Sequence, residues 1–169
     1  NSPNLKEEER KQYEDSASCA ILNCELNKKE KEEFFKQKIA ELQSKIRQDN
    51  AGSTLCSLII TSDEITIANL GDSCAYAVFS NEKSPPNNVA ILVRLSEIQD
   101  ANNIKIRKKL LINGAALAQG GDGKMRVDGV LAPAGVIGDS NIKGVLRDPK
   151  ITNLNIEELC AKVTQCYYG

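Results

Sequence analysis

The side chains that could carry out chemistry in this 169-residue chain are limited, because it contains no histidine. A Ser-His or Cys-His nucleophile pair cannot be built, so any catalysis would rest on carboxylates, Lys, Arg or a bound metal ion. The first candidates lie in "RKQYED", where Arg10 shortly precedes Glu14 and Asp15. Residues 4–15 are nearly all charged or polar, and this pattern alone indicates a solvated helix face.

The cysteines do not indicate a zinc site. No two are spaced as C-x-x-C, whereas structural zinc sites usually pair Cys or His ligands at short spacing. We expect reduced thiols, as in a cytoplasmic protein. The six cysteines are Cys19, Cys24, Cys56, Cys74, Cys160 and Cys166.

Composition excludes several classes of protein. The net charge of −1 gives no basic footprint for nucleic acid. No apolar run approaches the roughly 18 residues of a transmembrane helix, so no membrane association is expected. The hydrophobic fraction of 41% can build a core, and we expect a single domain over residues 1–169. No signal peptide is expected, and the missing initiator Met indicates a trimmed chain or a piece of a longer protein.

Hydrophobic periodicity predicts a helix followed by short strands. Phe35, Ile39, Leu42 and Ile46 recur at helical spacing within 28–49. The period then changes, and four β-rich runs separated by turn residues predict an antiparallel meander. These runs are Leu55–Thr61, Ile65–Asn69, Cys74–Phe79 and Val89–Leu95.

The second half of the chain predicts two further helices, over 101–113 and 156–165, where Asn155 and Glu158 form a candidate capping box. Short strands are expected at 125–131 and 144–146 between Gly-rich loops. A helix, consecutive strands and then more helices indicate an α+β fold with an antiparallel sheet.

The stretch "AGSTLCSLIITSDEITIANLGDSCAYAVF" resembles the central signature of the type-2C, metal-dependent protein phosphatases (the PPM family). That signature opens a strand with Gly-Ser-Thr, here Gly52–Thr54, and ends in a Gly-Asp-Ser turn, here Gly71–Ser73. "MRVDGVLAPAGVIGDSNIKGVLRDPKIT" is similar to a later family stretch that ends in a Pro and a strand. The resemblance implies an antiparallel β-sandwich flanked by helices, reduced or incomplete at this length.

The resemblance also implies roles for individual residues. In active members the Arg matched by Arg10 holds the substrate phosphate, as its planar fork binds phosphate oxygens bidentately. The acids matched by Glu14 and Asp15 help to organise the metal site, and Asp72 matches a ligand of an additional, weaker site. The alternatives are an ion pair of Arg10 with Glu14 and a turn-capping role for Asp72.

The chain departs from the family at its central metal-binding motif. Active members carry Asp-Gly-His-Gly-Gly after an apolar strand, and the Asp bridges two Mg²⁺ or Mn²⁺ ions. Here Asn23-Cys24-Glu25 follows the apolar run, so Asn23 and Glu25 are degenerate ligand positions. A neutral amide is a poor substitute, because hard divalent cations need anionic oxygen ligands.

Other departures lie further along the chain. The family's Ser-Arg is replaced by Ala134-Gly135, although Gly138-Asp139 remains. Asp122 in "GGDGK" lacks the spacing of a phosphate-binding loop and is expected in a flexible loop. The chain stops at Gly169, where the family's Ser-Asp-Gly strand would begin.

These departures predict a type-2C phosphatase-like domain that has lost catalysis, has no cofactor and binds another protein, such as a kinase or phosphoprotein. One alternative is a Mg²⁺- or Mn²⁺-dependent Ser/Thr phosphatase whose remaining ligands lie in missing segments. A second alternative is an unrelated α+β binding module. The candidate partner surfaces are the loop Asn81–Asn88 and the helix over 28–49.

Overall fold

The computed structural model describes residues 26–46, 51–80 and 90–168, and the elements below are those of these ranges. The helices are α1 (Lys28–Lys45), α2 (Ile104–Ile112) and α3 (Ile156–Tyr168). The strands are β1 (Gly52–Ser53), β2 (Leu55–Ile60), β3 (Glu64–Leu70), β4 (Tyr76–Ser80), β5 (Ala90–Arg94), β6 (Leu117–Gln119), β7 (Met125–Val127), β8 (Ile137–Gly138) and β9 (Lys150–Asn155).

The main sheet is antiparallel, with strand order β2-β3-β9. Ile67 of β3 lies opposite Leu58 on one side and Thr152 on the other. β4 pairs instead with β5 in a separate hairpin. The predicted four-strand meander is therefore wrong, because β9 lies beside β3 where the meander would have put β4.

The two faces of the main sheet pack against different elements. On one face, Phe35 and Ile39 of α1 pack with Ile59, Ala68 and Leu70. On the other face, the buried Ile67 lies in a cluster with Ala75 and Leu95, and Ala77 and Val93 of the β4–β5 hairpin and Leu159 of α3 pack against that cluster. The predicted α+β fold, with packed antiparallel sheets flanked by helices, is confirmed.

Helix α1 begins at a complete capping box. The Asn27 side chain accepts from the Glu30 backbone N–H, and the Glu30 side chain accepts from the Asn27 backbone N–H. The helix ends at Lys45, four residues before its predicted end at 49, with Ile46 as the cap. None of the helices in the described ranges is long and apolar enough to cross a membrane.

A third group of buried residues lies in the 101–146 region. Ile106 and Leu110 of α2 pack with Val127, Ala134 and Val136. The strand predicted at 125–131 is shorter, at Met125–Val127, and the one predicted at 144–146 is reduced to a bridge between Gly135 and Leu146. α3 extends three residues beyond its predicted end, and one half of its predicted capping box is present, since Asn155 Oδ1 accepts from Glu158 N–H.

Candidate functional site

The structure brings three motifs of the sequence together: Gly52–Thr54, Gly71–Ser73 and Ala134–Asp139. The Thr54 and Ser73 hydroxyls are 2.7 Å apart and share a hydrogen bond. Gly71 has φ 103°, and a Cβ there would lie only 2.6 Å from the Gly135 carbonyl oxygen and would overlap the Thr54 side chain. Glycine is therefore required at this turn by both its backbone conformation and its neighbours.

Two buried amides hold the Gly71–Ser73 turn. Asn69 Nδ2 donates to the carbonyls of Gly71, at 3.1 Å, and Glu97, at 2.8 Å. The Gly71 N–H donates to Gln99 Oε1 at 2.9 Å. Asn69 is fully buried, and its Oδ1 has no hydrogen-bond partner among the described residues. The position of the turn is thus fixed by side chains from the end of β3 and from the segment after β5.

Asp72 lies at the tip of this turn and is exposed. Its carboxylate makes no hydrogen bond to any other described residue, so the predicted turn-capping role is not what the described part of the chain shows. The hydroxyl pair and the two amides stabilise the turn instead. Asp72 is left as a carboxylate directed at solvent.

The Gly138-Asp139 pair lies against the strand that opens the signature. Gly52 pairs with Gly138, and Asp139 N–H donates to the Ala51 carbonyl at 2.9 Å. A Cβ on Gly52 would overlap the Asp139 carboxylate. The close approach of these two segments therefore explains why glycines stand at both positions.

Arg147 holds the segment 136–139 through hydrogen bonds to its backbone. Its guanidinium donates to the carbonyls of Val136, at 3.2 Å, Gly138 and Asp139, the last at 2.9 Å. Burial raises the pKa of the Asp139 carboxyl, and the neighbouring Arg147 charge opposes that rise. Burial in turn lowers the pKa of Arg147, and Asp139 opposes this. Arg147 was not predicted as a functional residue, because all three of these hydrogen bonds are to backbone carbonyls and leave no pattern in the sequence.

The positions that match the family's Ser-Arg are closed by packing. Ala134 is fully buried within the 101–146 core. A Cβ on Gly135 would lie 2.6 Å from Gln99 Oε1, 2.8 Å from Leu70 Cδ1 and 3.0 Å from the Gly71 nitrogen. The space that a long side chain at 135 would need is occupied by the amide that holds the Asp72 turn.

The described residues do not form a divalent metal site by themselves. In 26–46, 51–80 and 90–168 no group of three or more Cys, Asp or Glu side chains is placed to hold a metal ion. Asp72 is a single exposed carboxylate there. The other candidate site residues, Arg10, Glu14, Asp15, Asn23, Cys24 and Glu25, lie outside the described residues, as does the Asn81–Asn88 loop.

Asp122 lies at the turn of the β6–β7 hairpin. It accepts from the Lys124 N–H at 3.2 Å and from Arg126 Nη2 at 3.0 Å. These interactions, with the Lys124 backbone hydrogen bond contributing most, lower the pKa of Asp122. The expectation of a flexible loop here is corrected to a hydrogen-bonded turn without the features of a site.

A groove of about 560 Å³ separates α1 from the loop that carries Arg147. Lys36 and Gln43 line one wall, and Arg147, Asp148 and Pro149 line the other. Gln43 Nε2 donates across it to the carbonyls of Val136 and Arg147, both at 3.3 Å. The groove therefore lies beside the segment that carries Asp139. The Arg147 guanidinium that lines it is already hydrogen-bonded to backbone carbonyls.

Comparison with known proteins relates the chain to a protein family and to curated relatives. A family model described as protein phosphatase 2C matches residues 2–162. Protein phosphatase 1L of Bos taurus is 26% identical over 117 residues, which are 68% of this chain and 30% of that protein. The chain thus spans 30% of the length of this relative.

Proposed function

Since this chain belongs to the protein phosphatase 2C family, we propose that it is a catalytically inactive member that acts by binding another protein. Its partner would be a component of phospho-signalling in the cytoplasm, such as a kinase or a phosphoprotein. The membership excludes the alternative of an unrelated α+β binding module.

The observation that carries this proposal is the packing at Gly135. The turn glycines and the Gly138-Asp139 pair are kept, whereas the family's Ser-Arg positions are filled by the buried Ala134 and by Gln99 against Gly135. An Arg at 135 could not be accommodated without moving the Asp72 turn. The chain therefore keeps the glycines that the fold requires, and it leaves no room for a charged side chain at position 135.

The sequence at Asn23 supports the same proposal. If Asn23 stands at the bridging position, a neutral amide replaces the carboxylate between two divalent cations, and the charge that would hold them is missing. The family's reaction uses water activated by metal ions, so weak metal binding would leave no nucleophile.

One observation favours the second candidate function, a metal-dependent Ser/Thr phosphatase. The Asp72 carboxylate is exposed and makes no hydrogen bond to any other described residue, so its oxygens are available to coordinate a cation. In that case Mg²⁺ or Mn²⁺ would be held by Asp72 together with residues beyond the described ranges, such as Glu14 and Asp15.

The test is hydrolysis of para-nitrophenyl phosphate by the full chain with Mn²⁺, with and without a chelator, beside calorimetric titration of Mn²⁺. We expect no turnover above buffer and no tight binding. Turnover that the chelator abolishes would contradict the proposal and identify an enzyme.

Two variants make this assay specific. Asp72→Ala removes the exposed carboxylate of the turn, and Glu97→Ala removes an exposed carboxylate elsewhere. If the chain is an enzyme, Asp72→Ala should reduce turnover or Mn²⁺ affinity and Glu97→Ala should not. If the chain is inactive, neither variant changes the baseline.

A further inference from the structure

Helix α2 carries an unusual concentration of positive charge. Its nine residues, IKIRKKLLI, include four Lys or Arg and no acid, whereas the whole chain has a net charge of −1. Arg107 is engaged locally, since its Nε donates to the Ala101 carbonyl at 3.1 Å. Lys105, Lys108 and Lys109 are exposed, and none of them forms an ion pair with a described acid.

The side of α2 that faces away from the core carries exposed apolar side chains among its lysines. Ile106 and Leu110 are buried in the 101–146 core. With about 100° of rotation per residue, Ile104, Leu111 and Ile112 project from the opposite side. They are 67%, 54% and 83% exposed.

The lysines lie around and between these apolar side chains. Lys108 is one helical turn from both Ile104 and Leu111, and Lys105 and Lys109 lie on the flank next to Ile112. Single exposed apolar residues are ordinary, whereas here three exposed apolar side chains share one side of a short helix. We call these six residues the α2 surface: Ile104, Lys105, Lys108, Lys109, Leu111 and Ile112.

A second exposed apolar face, on the β4–β5 hairpin, does not identify an occupant. Tyr76, Val78 and Leu92 are 49%, 66% and 62% exposed, and Arg94 is the charged residue among their cross-strand neighbours. The α2 surface differs because its three lysines favour a partner with acidic side chains.

We propose that the α2 surface binds an acidic, amphipathic segment of another protein. Leucine-like side chains of that segment would cover Ile104, Leu111 and Ile112, and its Asp or Glu residues would pair with the three lysines. A protein partner is favoured over a lipid surface, because the other apolar side of α2 is already buried in the core and only three apolar side chains remain to insert.

This inference rests on the proposed protein-binding function and names a surface for it, away from the Asp72 turn. The two can fail separately. Metal-dependent turnover would contradict the proposal of an inactive domain but would not bear on binding by the α2 surface. Failure of the acidic peptide to bind would contradict the role proposed for the α2 surface but would not change the result of the phosphatase assay.

The experiment measures the fluorescence anisotropy of a labelled synthetic peptide of about 16 residues. The peptide places Leu on one face of a helix and Glu on the opposite face. The full chain is titrated against it and against the same peptide with Lys in place of Glu. We expect micromolar binding of the acidic peptide that weakens with added salt, and at least about tenfold weaker binding of the basic one.

Variants locate the binding. Lys105→Glu combined with Lys108→Glu and Lys109→Glu should weaken binding at least about tenfold, and Ile112→Ser should weaken it about threefold or more. The matched controls are Lys150→Glu with Lys162→Glu, which reverses exposed charges on β9 and α3, and Leu92→Ser, which removes an exposed apolar side chain from the hairpin. Neither control should change the affinity.

Four outcomes would overturn the proposal. They are no binding of the acidic peptide, equal binding of both peptides, sedimentation with phosphatidylserine vesicles without peptide binding, and self-association of the chain that Ile112→Ser abolishes. The third would assign the α2 surface to a membrane and the fourth to a second copy of this chain.

Discussion

Among single residues, Asn69 has the largest expected effect on the turn that carries Asp72. Its Nδ2 donates to two backbone carbonyls, and the side chain is fully buried. Asn69→Ala would leave the Gly71 and Glu97 carbonyls without this donor and would open a small cavity. We therefore expect the free energy of unfolding to fall by about 2–4 kcal/mol, measured by urea denaturation.

The control for Asn69 is an exposed amide that also bonds a carbonyl. Gln119 Nε2 donates to the Gly123 carbonyl at 3.0 Å on the surface of the β6–β7 hairpin. Gln119→Ala should change the free energy of unfolding by no more than about 0.5 kcal/mol. A similar small value for Asn69→Ala would mean that the turn does not depend on this amide.

Asp139 gives a pH-dependent prediction. Burial raises its pKa above the ordinary 3.8, so the native state binds this proton more tightly than the unfolded state does. The stability that comes from protonated Asp139 is present below the ordinary pKa and is lost as pH rises through the raised one. As pH falls from about 7 to about 4, wild type should therefore gain stability relative to Asp139→Asn.

A matched substitution tests this at an exposed position. Asp128 has φ 51° and Asp139 has φ 45°, a conformation that Asn tolerates, but Asp128 is exposed. Urea unfolding of wild type, Asp139→Asn and Asp128→Asn is compared across this pH range. If wild type does not gain stability relative to Asp139→Asn as pH falls, burial does not control the titration of Asp139.

At the residue scale, sequence predicted the glycines and Asp72 but missed the side chains that hold them. Gly52, Gly71 and Asp72 belong to a contiguous motif that can be read locally. Gln99 is 28 positions from its partner Gly71, and Arg147 acts on carbonyls that any residue presents. Such contacts leave no local pattern, because their partners are backbone atoms brought together by the fold.

At the scale of elements, α1 is joined to the main sheet by charge as well as by its apolar face. Lys31 is 3% exposed, and its Nζ lies 3.1 Å from Glu64 Oε2 on β3. Glu64→Gln would leave a buried cation without a charged partner. We expect the free energy of unfolding to fall by about 1–3 kcal/mol, since Glu64 itself is partly exposed.

Glu41 on the solvent side of α1 provides the contrast. Hydrogen bonds from Lys45 and then Lys38 lower its pKa to about 2, yet both lysines are more than half exposed and the Glu41 side chain is 41% exposed. Glu41→Gln should change stability much less than Glu64→Gln does, and added salt should remove the small difference. Equal losses for the two variants would contradict the role assigned to Lys31.

The strands show why pairing was harder to predict than the elements. Runs rich in β-forming residues, bounded by turn residues, placed β2, β3, β4 and β5 within one or two residues of their described bounds. It could not show that β9 pairs with β3, because "KITNLN" has a weak apolar pattern and its match to β3 is partly polar: Thr66 Oγ1 donates to Asn153 Oδ1 at 2.9 Å. Pairing over this distance in sequence depends on the whole fold.

At the scale of the molecule, the buried clusters are joined rather than separate. Leu146 packs against both the 101–146 core and the α1–sheet core. Gln99 also links them, since its N–H donates to the Gly71 carbonyl at 2.8 Å and its carbonyl accepts from the Ala134 N–H at 3.0 Å. We therefore propose that the chain is a single domain that unfolds as one unit.

Leu110→Ala tests this unity. Leu110 is fully buried in the 101–146 core, so the substitution should lower the free energy of unfolding by about 2–5 kcal/mol. In one cooperative unit, hydrogen exchange measured by mass spectrometry should then accelerate in β3 as well as in β7. The neighbouring Leu111→Ala, at a side chain 54% exposed, should accelerate neither. Acceleration confined to 101–146 would instead mean that this region opens independently of the sheet that carries the Asp72 turn.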